Sequence, residues 1–291
     1  MELINFEGLN CYYNSVISIA HYYGVPYINS FAKLWSEKDF TYCSCDDTFI
    51  SKTMFDLLRL NGITTITLNC EKTENTKLIL NQIDPLELFI VKMDAYDIPW
   101  NLSYMIYHSP HYFIVKKKST KSFHCFDPTY SCRHQMESNF ILDHCCEIVR
   151  ISIEDSVIQN TFDPLFFVKQ EAKSIVDTHV KSCRDELMSY ASYMRKEDWS
   201  LETLAKYVNC MLSNRQLYKR FFYTTMEQNG YKQRCLFDLD FFNQWNAVKN
   251  GLMKASFLNN NSSILVAVRS RFSKLIKKEI CIAENILETI K

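Results

Sequence analysis

Apolar residues recur in two different rhythms along the first 155 positions. Cys11, Tyr12, Val16, Ile19 and Ala20 fall at helical spacing and Gly24 closes the run, which predicts a helix over 11–24. Met54, Leu57 and Leu58 ahead of Asn61-Gly62 predict a second helix over 49–61, and 74–82 reads as a third. The rhythm then shortens to the alternation of strands at 63–68, 88–92, 111–116, 122–126 and 147–153. A turn of Lys, Ser and Thr joins 111–116 to 122–126, so these two read as a hairpin. Helices followed by a mostly antiparallel sheet predict an α+β domain rather than a βαβ one.

Past Asp163-Pro164 the strand rhythm stops. Helical spacing fills 165–196, 200–212, 214–229, 239–257 and 263–290, as in Phe241, Trp245, Val248 and Leu252. Asn214, Asp240 and Ser262 are candidate N-caps. The chain is therefore expected to divide into an α+β domain (1–158) and an all-helical domain (159–291).

Charge sharpens that division. The net charge is zero, but residues 1–160 carry 13 Lys and Arg against 19 Asp and Glu, and residues 161–291 carry 20 against 14. An acidic half of −6 thus cancels a basic half of +6, so the halves are expected to face different partners. The 12 cysteines would suggest a disulfide framework in a small secreted chain. The stretch 1–7 has two acids, no base and no apolar core, unlike a secretion signal, and no apolar run reaches the length of a membrane span. The expectation is a cytoplasmic protein with reduced cysteines and no membrane attachment.

One cysteine is placed for chemistry. A thiol attacks acyl groups as thiolate and needs a base in hydrogen-bond reach. Cys11 opens a predicted helix after the turn Glu7-Gly8-Leu9-Asn10, where the helix dipole favours an anion and free N–H groups can hold an oxyanion. His111 opens a strand, and Asp127 ends the next strand in Phe126-Asp127-Pro128, sixteen residues on. Antiparallel neighbours joined by a short turn bring these two together, so Asp127 can fix the imidazole tautomer. His108 competes as base but is separated from the strand by Ser109-Pro110. A Cys-His-Asp acyl-transfer site is the expectation.

This order of residues resembles papain-like enzymes, and the C39-like peptidase branch in particular. Asn5 stands where those peptidases usually carry an oxyanion-binding glutamine, and Cys11 is followed by Tyr-Tyr-Asn-Ser rather than Gly-Pro. Gly8-Leu9-Asn10-Cys11-Tyr12-Tyr13-Asn14-Ser15, the stretch Asp94-Ala-Tyr-Asp-Ile-Pro-Trp100, His111 and Asp127 resemble the butirosin biosynthesis protein H family over essentially the whole chain. That resemblance implies an acyltransferase that takes a γ-glutamylated amino-acyl chain from an acyl carrier protein. It implies delivery of that chain to an amine of an aminoglycoside such as ribostamycin. No resident cofactor is implied, since phosphopantetheine arrives on the carrier. Asp94 and Asp97 would then meet the cationic acceptor and Trp100 a sugar face. A hydrolase using the same triad, peptidase or thioesterase, is the alternative, and a non-catalytic scaffold a third reading.

Other patterns point less far. Arg271, Lys274 and Lys278 share one helix face, with Arg215, Lys219 and Arg220 as a second cluster; both read as solvated faces or as a docking surface for an acidic carrier protein. Mixed charge and zero net charge speak against nucleic acid. Cys43 and Cys45 with Cys145 and Cys146 match no common zinc spacing, so no metal is expected. No glycine-rich phosphate loop is present.

Overall fold

The computed structural model describes residues 1–37, 40–43, 48–70, 73–154, 162–182, 200–231, 236–258 and 261–290. By internal contacts the chain forms two compact units. One comprises Met1–Tyr27 with Leu58–Asn160, the other Ile28–Leu57 with Thr161–Lys291. Residues 28–57, counted with the first domain by pattern, thus group with the helices.

The first unit is α+β. Its helix α1 (Cys11–Tyr22) is followed by strand β3 (Ile63–Asn69), helix α3 (Thr73–Gln82), β4 (Leu88–Asp94), β5 (Pro110–Lys117), β6 (Ser122–Asp127), β7 (Cys132–Glu137), helix α4 (Ser138–His144) and β8 (Cys145–Ile153). β1 (Phe40–Cys43), β2 (Thr48–Ser51) and the first six residues of α2 (Lys52–Leu60) belong to the other unit. Six strands form one antiparallel sheet in the order β3-β8-β4-β5-β6-β7. The central strands β4 and β5 are buried on both faces, from Leu88 to Val91 and from Phe113 to Val115, which is why they read as apolar runs rather than alternating ones. One face carries the core of Phe89, Val91, Phe113, Val115, Phe123 and Cys125, closed by Leu80, Ile83 and Ile141. α1 packs on β4, β5 and β8, burying the apolar Val16, Ile17, Ile19 and Ala20 together with the polar Asn14, Ser15 and Ser18.

β7 and α4 went unread because their periods are short and their residues polar: Arg133, His134 and Gln135 are exposed on an edge strand. A hairpin, β1 with β2, occupies the start of the expected helix 49–61.

The second unit is helical beyond that hairpin. It contains α5 (Pro164–Ser182), α6 (Leu201–Gln228), α7 (Leu239–Phe257) and α8 (Ser262–Thr289); the remainder of the expected helix 165–196 lies outside the described residues. The expected helices 200–212 and 214–229 are one element of 28 residues. Asn214 is therefore no cap: it sits in mid-helix, buried, with Nδ2 donating to Glu37 Oε2 at 2.6 Å. The caps of α7 and α8 are Asp238, two residues ahead of the expected Asp240, and Asn261, one residue ahead of the expected Ser262. The core stacks Trp35 on Tyr218 (5.2 Å) beside Phe237, Phe241 and Trp245. Inside it Arg215 makes a two-pronged pair with Glu279, Nη2 to Oε2 at 3.0 Å, and its guanidinium lies 4.3 Å from the Trp245 ring centre. Arg215 is thus a core residue and not part of a surface cluster with Lys219 and Arg220. Among the described residues no helix is long and apolar enough to cross a membrane.

Candidate active site

The nucleophile's loop is built around amides. Asn10 caps α1, its Oδ1 accepting from the Tyr13 N–H at 3.0 Å, so Cys11 is the first helical residue. There the Cys11 N–H has no carbonyl within the helix to donate to. Asn14, one turn in and almost fully buried, folds the preceding loop. Its Oδ1 accepts from the Phe6 N–H (3.1 Å), and its Nδ2 donates to Asn5 Oδ1 (3.2 Å) and to the Leu9 carbonyl (3.4 Å). Gly8 takes φ of 101°, a conformation that a side chain would strain, and so lets the loop turn into the helix.

The base and its partner come from the hairpin. Ile114 pairs with Phe126 across β5 and β6, so the strand start at His111 faces the strand end at Asp127. His111 Nε2 lies 2.7 Å from Asp127 Oδ2, with both side chains buried. The Cys11 thiol is the other polar group that raises the imidazole's pKa, and with Nε2 engaged by Asp127, Nδ1 is the nitrogen left for sulfur. Burial works against the imidazolium, but Asp127 and Cys11 outweigh it and lift the His111 pKa from 6.5 to about 9. An imidazolium beside a half-buried cysteine is the environment in which thiols become nucleophilic.

Asp127 is itself fixed on every side. Trp100 Nε1 donates to its Oδ2 at 2.9 Å, and the Thr129 N–H to its Oδ1 at 3.0 Å. Trp100 is held in turn by Phe113, edge-on at 5.4 Å, and by His134, stacked at 4.4 Å. Its indole therefore orients the triad carboxylate, and one ring face already carries His134. Sequence pattern pointed to a sugar-binding face for Trp100 and missed this contact. An Asp two residues before Thr129, ahead of a proline, was a readable turn signal for the second one.

The remaining expected residues fall as follows. Asn5 Nδ2 donates to the Thr129 carbonyl at 3.0 Å, which ties the nucleophile loop to the segment after Asp127 and leaves the amide's second N–H for another acceptor. Asp94 caps a short 3₁₀ turn (Ala95–Asp97), accepting from the Tyr96 and Ser109 N–H groups and meeting His108 Nδ1 at 2.7 Å. Burial raises its pKa, but those bonds outweigh it and hold the carboxyl below its usual range. His108 is thus Asp94's partner, on an exposed imidazole stacked on Tyr96 at 4.5 Å. Asp97 is half-buried in the same turn. In the helical unit Arg271 and Lys274 are exposed, whereas Lys278 is shared between Asp238 (3.2 Å) and Asp240 (2.9 Å). Cys45 lies outside the described residues, and the buried Cys145 thiol donates to the Glu147 carbonyl at 3.2 Å. Among the described residues no three His, Cys, Asp or Glu side chains converge as metal ligands would.

Comparison with protein-family models gives no match, and comparison with curated proteins gives none either.

Proposed function

We propose that this chain is a cysteine acyltransferase with Cys11 as nucleophile, His111 as general base and acid, and Asp127 as the group that orients the imidazole. The observation that carries the reading is the buried imidazole–carboxylate bond of His111 and Asp127, with the Cys11 thiol, on the first residue of a helix, acting on the same imidazole. In the first half-reaction the Cys11 sulfur attacks a thioester carbonyl and His111 passes a proton to the departing thiol. The oxyanion is met by the Cys11 N–H and the free N–H of Asn5. In the second, an amine attacks the acyl-cysteine, His111 takes its proton, and the thiolate is restored.

The fold that accompanies this reading is papain-like, of the C39-like branch. The donor is an acyl group on a carrier protein, the carrier bringing its own phosphopantetheine and meeting exposed Arg271 and Lys274. The acceptor is an aminoglycoside amine in the cytoplasm, met by Asp97 rather than Asp94, because Asp94 already serves Tyr96, His108 and Ser109.

Intact mass spectrometry tests the reading. Mixing with acyl-loaded carrier should add the acyl mass to the wild-type chain and not to Cys11→Ala, and ribostamycin should discharge the adduct faster than buffer alone. An adduct absent from wild type, or persisting in Cys11→Ala, sinks the assignment. Equal discharge by water makes the protein a hydrolase.

A further inference from the structure

The loop between β4 and β5 is a rigid backbone with its apolar side chains turned outward. Leu102 is 79% exposed, Tyr104 40%, Met105 65%, Ile106 72% and Tyr107 58%. The ten residues 98–107 include no charged side chain. Nothing about the backbone is loose. Asn101, buried, accepts from the Ser103 N–H at 2.8 Å, and the Met105 N–H reaches the Tyr96 carbonyl at 3.0 Å. The buried Ser103 takes the Ile106 and Tyr107 N–H groups on its carbonyl. Met105 holds φ of 54°, a conformation rare for any residue but glycine. A chain with ordinary freedom would fold such side chains inward.

Tyr130 joins this loop to the triad. Its hydroxyl donates to Asn101 Oδ1 at 3.2 Å. Its ring lies 5.6 Å from that of His111, and its hydroxyl is within electrostatic range of Tyr107, Asp127 and Cys11. Tyr130 thus bridges the loop that carries the apolar surface and the His111 imidazole.

We infer that Leu102, Met105, Ile106 and Tyr107 form the acyl-donor subsite, and that the group it takes is an apolar acyl chain. This rests on the acyl-cysteine reading above and narrows its substrate. A chargeless surface offers a γ-glutamylated chain no ion pair and a cationic aminoglycoside no counter-charge. An alkyl thioester places its carbonyl at Cys11 and its chain along the loop. The carbonyl carbon bonds to Cys11 sulfur, the thioester C–S bond breaks, and the leaving thiol departs with a proton from His111.

The experiment is acyl-Cys11 formation followed by intact mass with a series of N-acetylcysteamine thioesters, acetyl, butyryl, hexanoyl, octanoyl and a γ-glutamyl-aminobutyryl member. A loop covering one side of the chain should raise the rate constant about twofold per methylene, about half the logarithmic gain of full burial. The ratio of octanoyl to acetyl rates should then reach roughly fiftyfold and fall below about fivefold in Leu102→Ser/Ile106→Ser. Ile106→Val, with the same thermal midpoint, should keep most of the ratio. A flat series, or a γ-glutamyl donor faster than octanoyl, overturns the apolar subsite while leaving the acyl-cysteine chemistry standing. No adduct from any donor overturns that chemistry instead. A flat series, together with sedimentation on equimolar phosphatidylcholine–phosphatidylglycerol vesicles that the double variant loses, assigns the patch to a lipid surface and likewise overturns the subsite.

Discussion

Both compact units bury an ion pair, and the two pairs differ in what lies next to them. In the helical unit Arg215 pairs with Glu279 and donates to the Met211 carbonyl at 3.1 Å, Trp35 Nε1 adds a bond to Glu279 at 3.4 Å, and the Trp245 ring lies against the guanidinium. In the sheet unit Asp127 is held by Trp100, Thr129 and His111, but the imidazole also feels a half-buried thiol, that of Cys11. Buried charge by itself therefore does not mark a site. An ordered polar chain that ends on a reachable nucleophile does, because only there is the arranged charge available to a reacting atom.

Several experiments would break or sharpen that contrast. The largest effect belongs to Cys11→Ala. Acyl transfer should fall by about four orders of magnitude or more, while the thermal midpoint stays within a few degrees, since little of the core rests on this half-buried side chain. Retention of a tenth of the activity would make the sheet unit's pair as inert as the other one. Arg215→Leu should do the opposite. Leaving Glu279 unpaired in the core costs about 3–5 kcal/mol of stability in urea denaturation. The double replacement Arg215→Met/Glu279→Leu should recover most of that. A harmless single replacement would show that water reaches the pair.

Next in size is pH. His111 has a folded pKa of about 9 against an ordinary 6.5. Its contribution to stability is complete below about 6.5 and is lost as pH rises through 9. Glu171, buried and bonded to the Ser36 N–H and hydroxyl, is pushed by burial from 4.5 to about 7. The folded state therefore holds a proton that the unfolded chain has released, and stability again falls as pH rises from 4.5 to 7. Melts should decline in two segments; Glu171→Gln should flatten the lower one and Asp127→Asn the upper. A midpoint rising across this range would contradict both. The smallest effect is Trp100→Phe, which keeps the ring and removes the bond to Asp127. It should cost about tenfold in rate, one charge-assisted hydrogen bond's worth, and shift the alkaline limb of the pH–rate profile. An unchanged profile would reduce Trp100 to packing.

What could be read beforehand follows from locality. The start of α1 was legible because Asn10, the glycine turn and the apolar spacing agree within a few residues. His111 and Asp127 were legible as a pair because a hairpin converts a sixteen-residue separation into adjacency. Asn214 and Arg215 were misread for the opposite reason. A polar residue in mid-helix looks like a cap or a surface position until a distant partner, Glu37 or Glu279, is placed beside it. Trp100 was singled out for its ring, yet its N–H decides its place, and the acceptor it meets is 27 residues away. The outward side chains of 102–107 gave no signal at all, since an apolar run reads as core unless its backbone is known to be pinned.

The sheet order has a consequence in time. β4, β5, β6 and β7 are neighbours in both sequence and space, so the base and its carboxylate can meet by closing short turns. β8 must instead insert between β3 and β4 from far along the chain, and α1, with the sulfur, packs on β4, β5 and β8. Pairings across long loops form later than local ones. During synthesis or refolding the Cys11 sulfur should therefore reach its native surroundings last, after the imidazole is already protected from exchange. Timed alkylation during refolding would reveal the order; a reactive Cys11 ahead of a protected β5–β6 hairpin would reverse it. Assembled in this sequence, the chain brings thiol and imidazole together only once the sheet beneath them is complete.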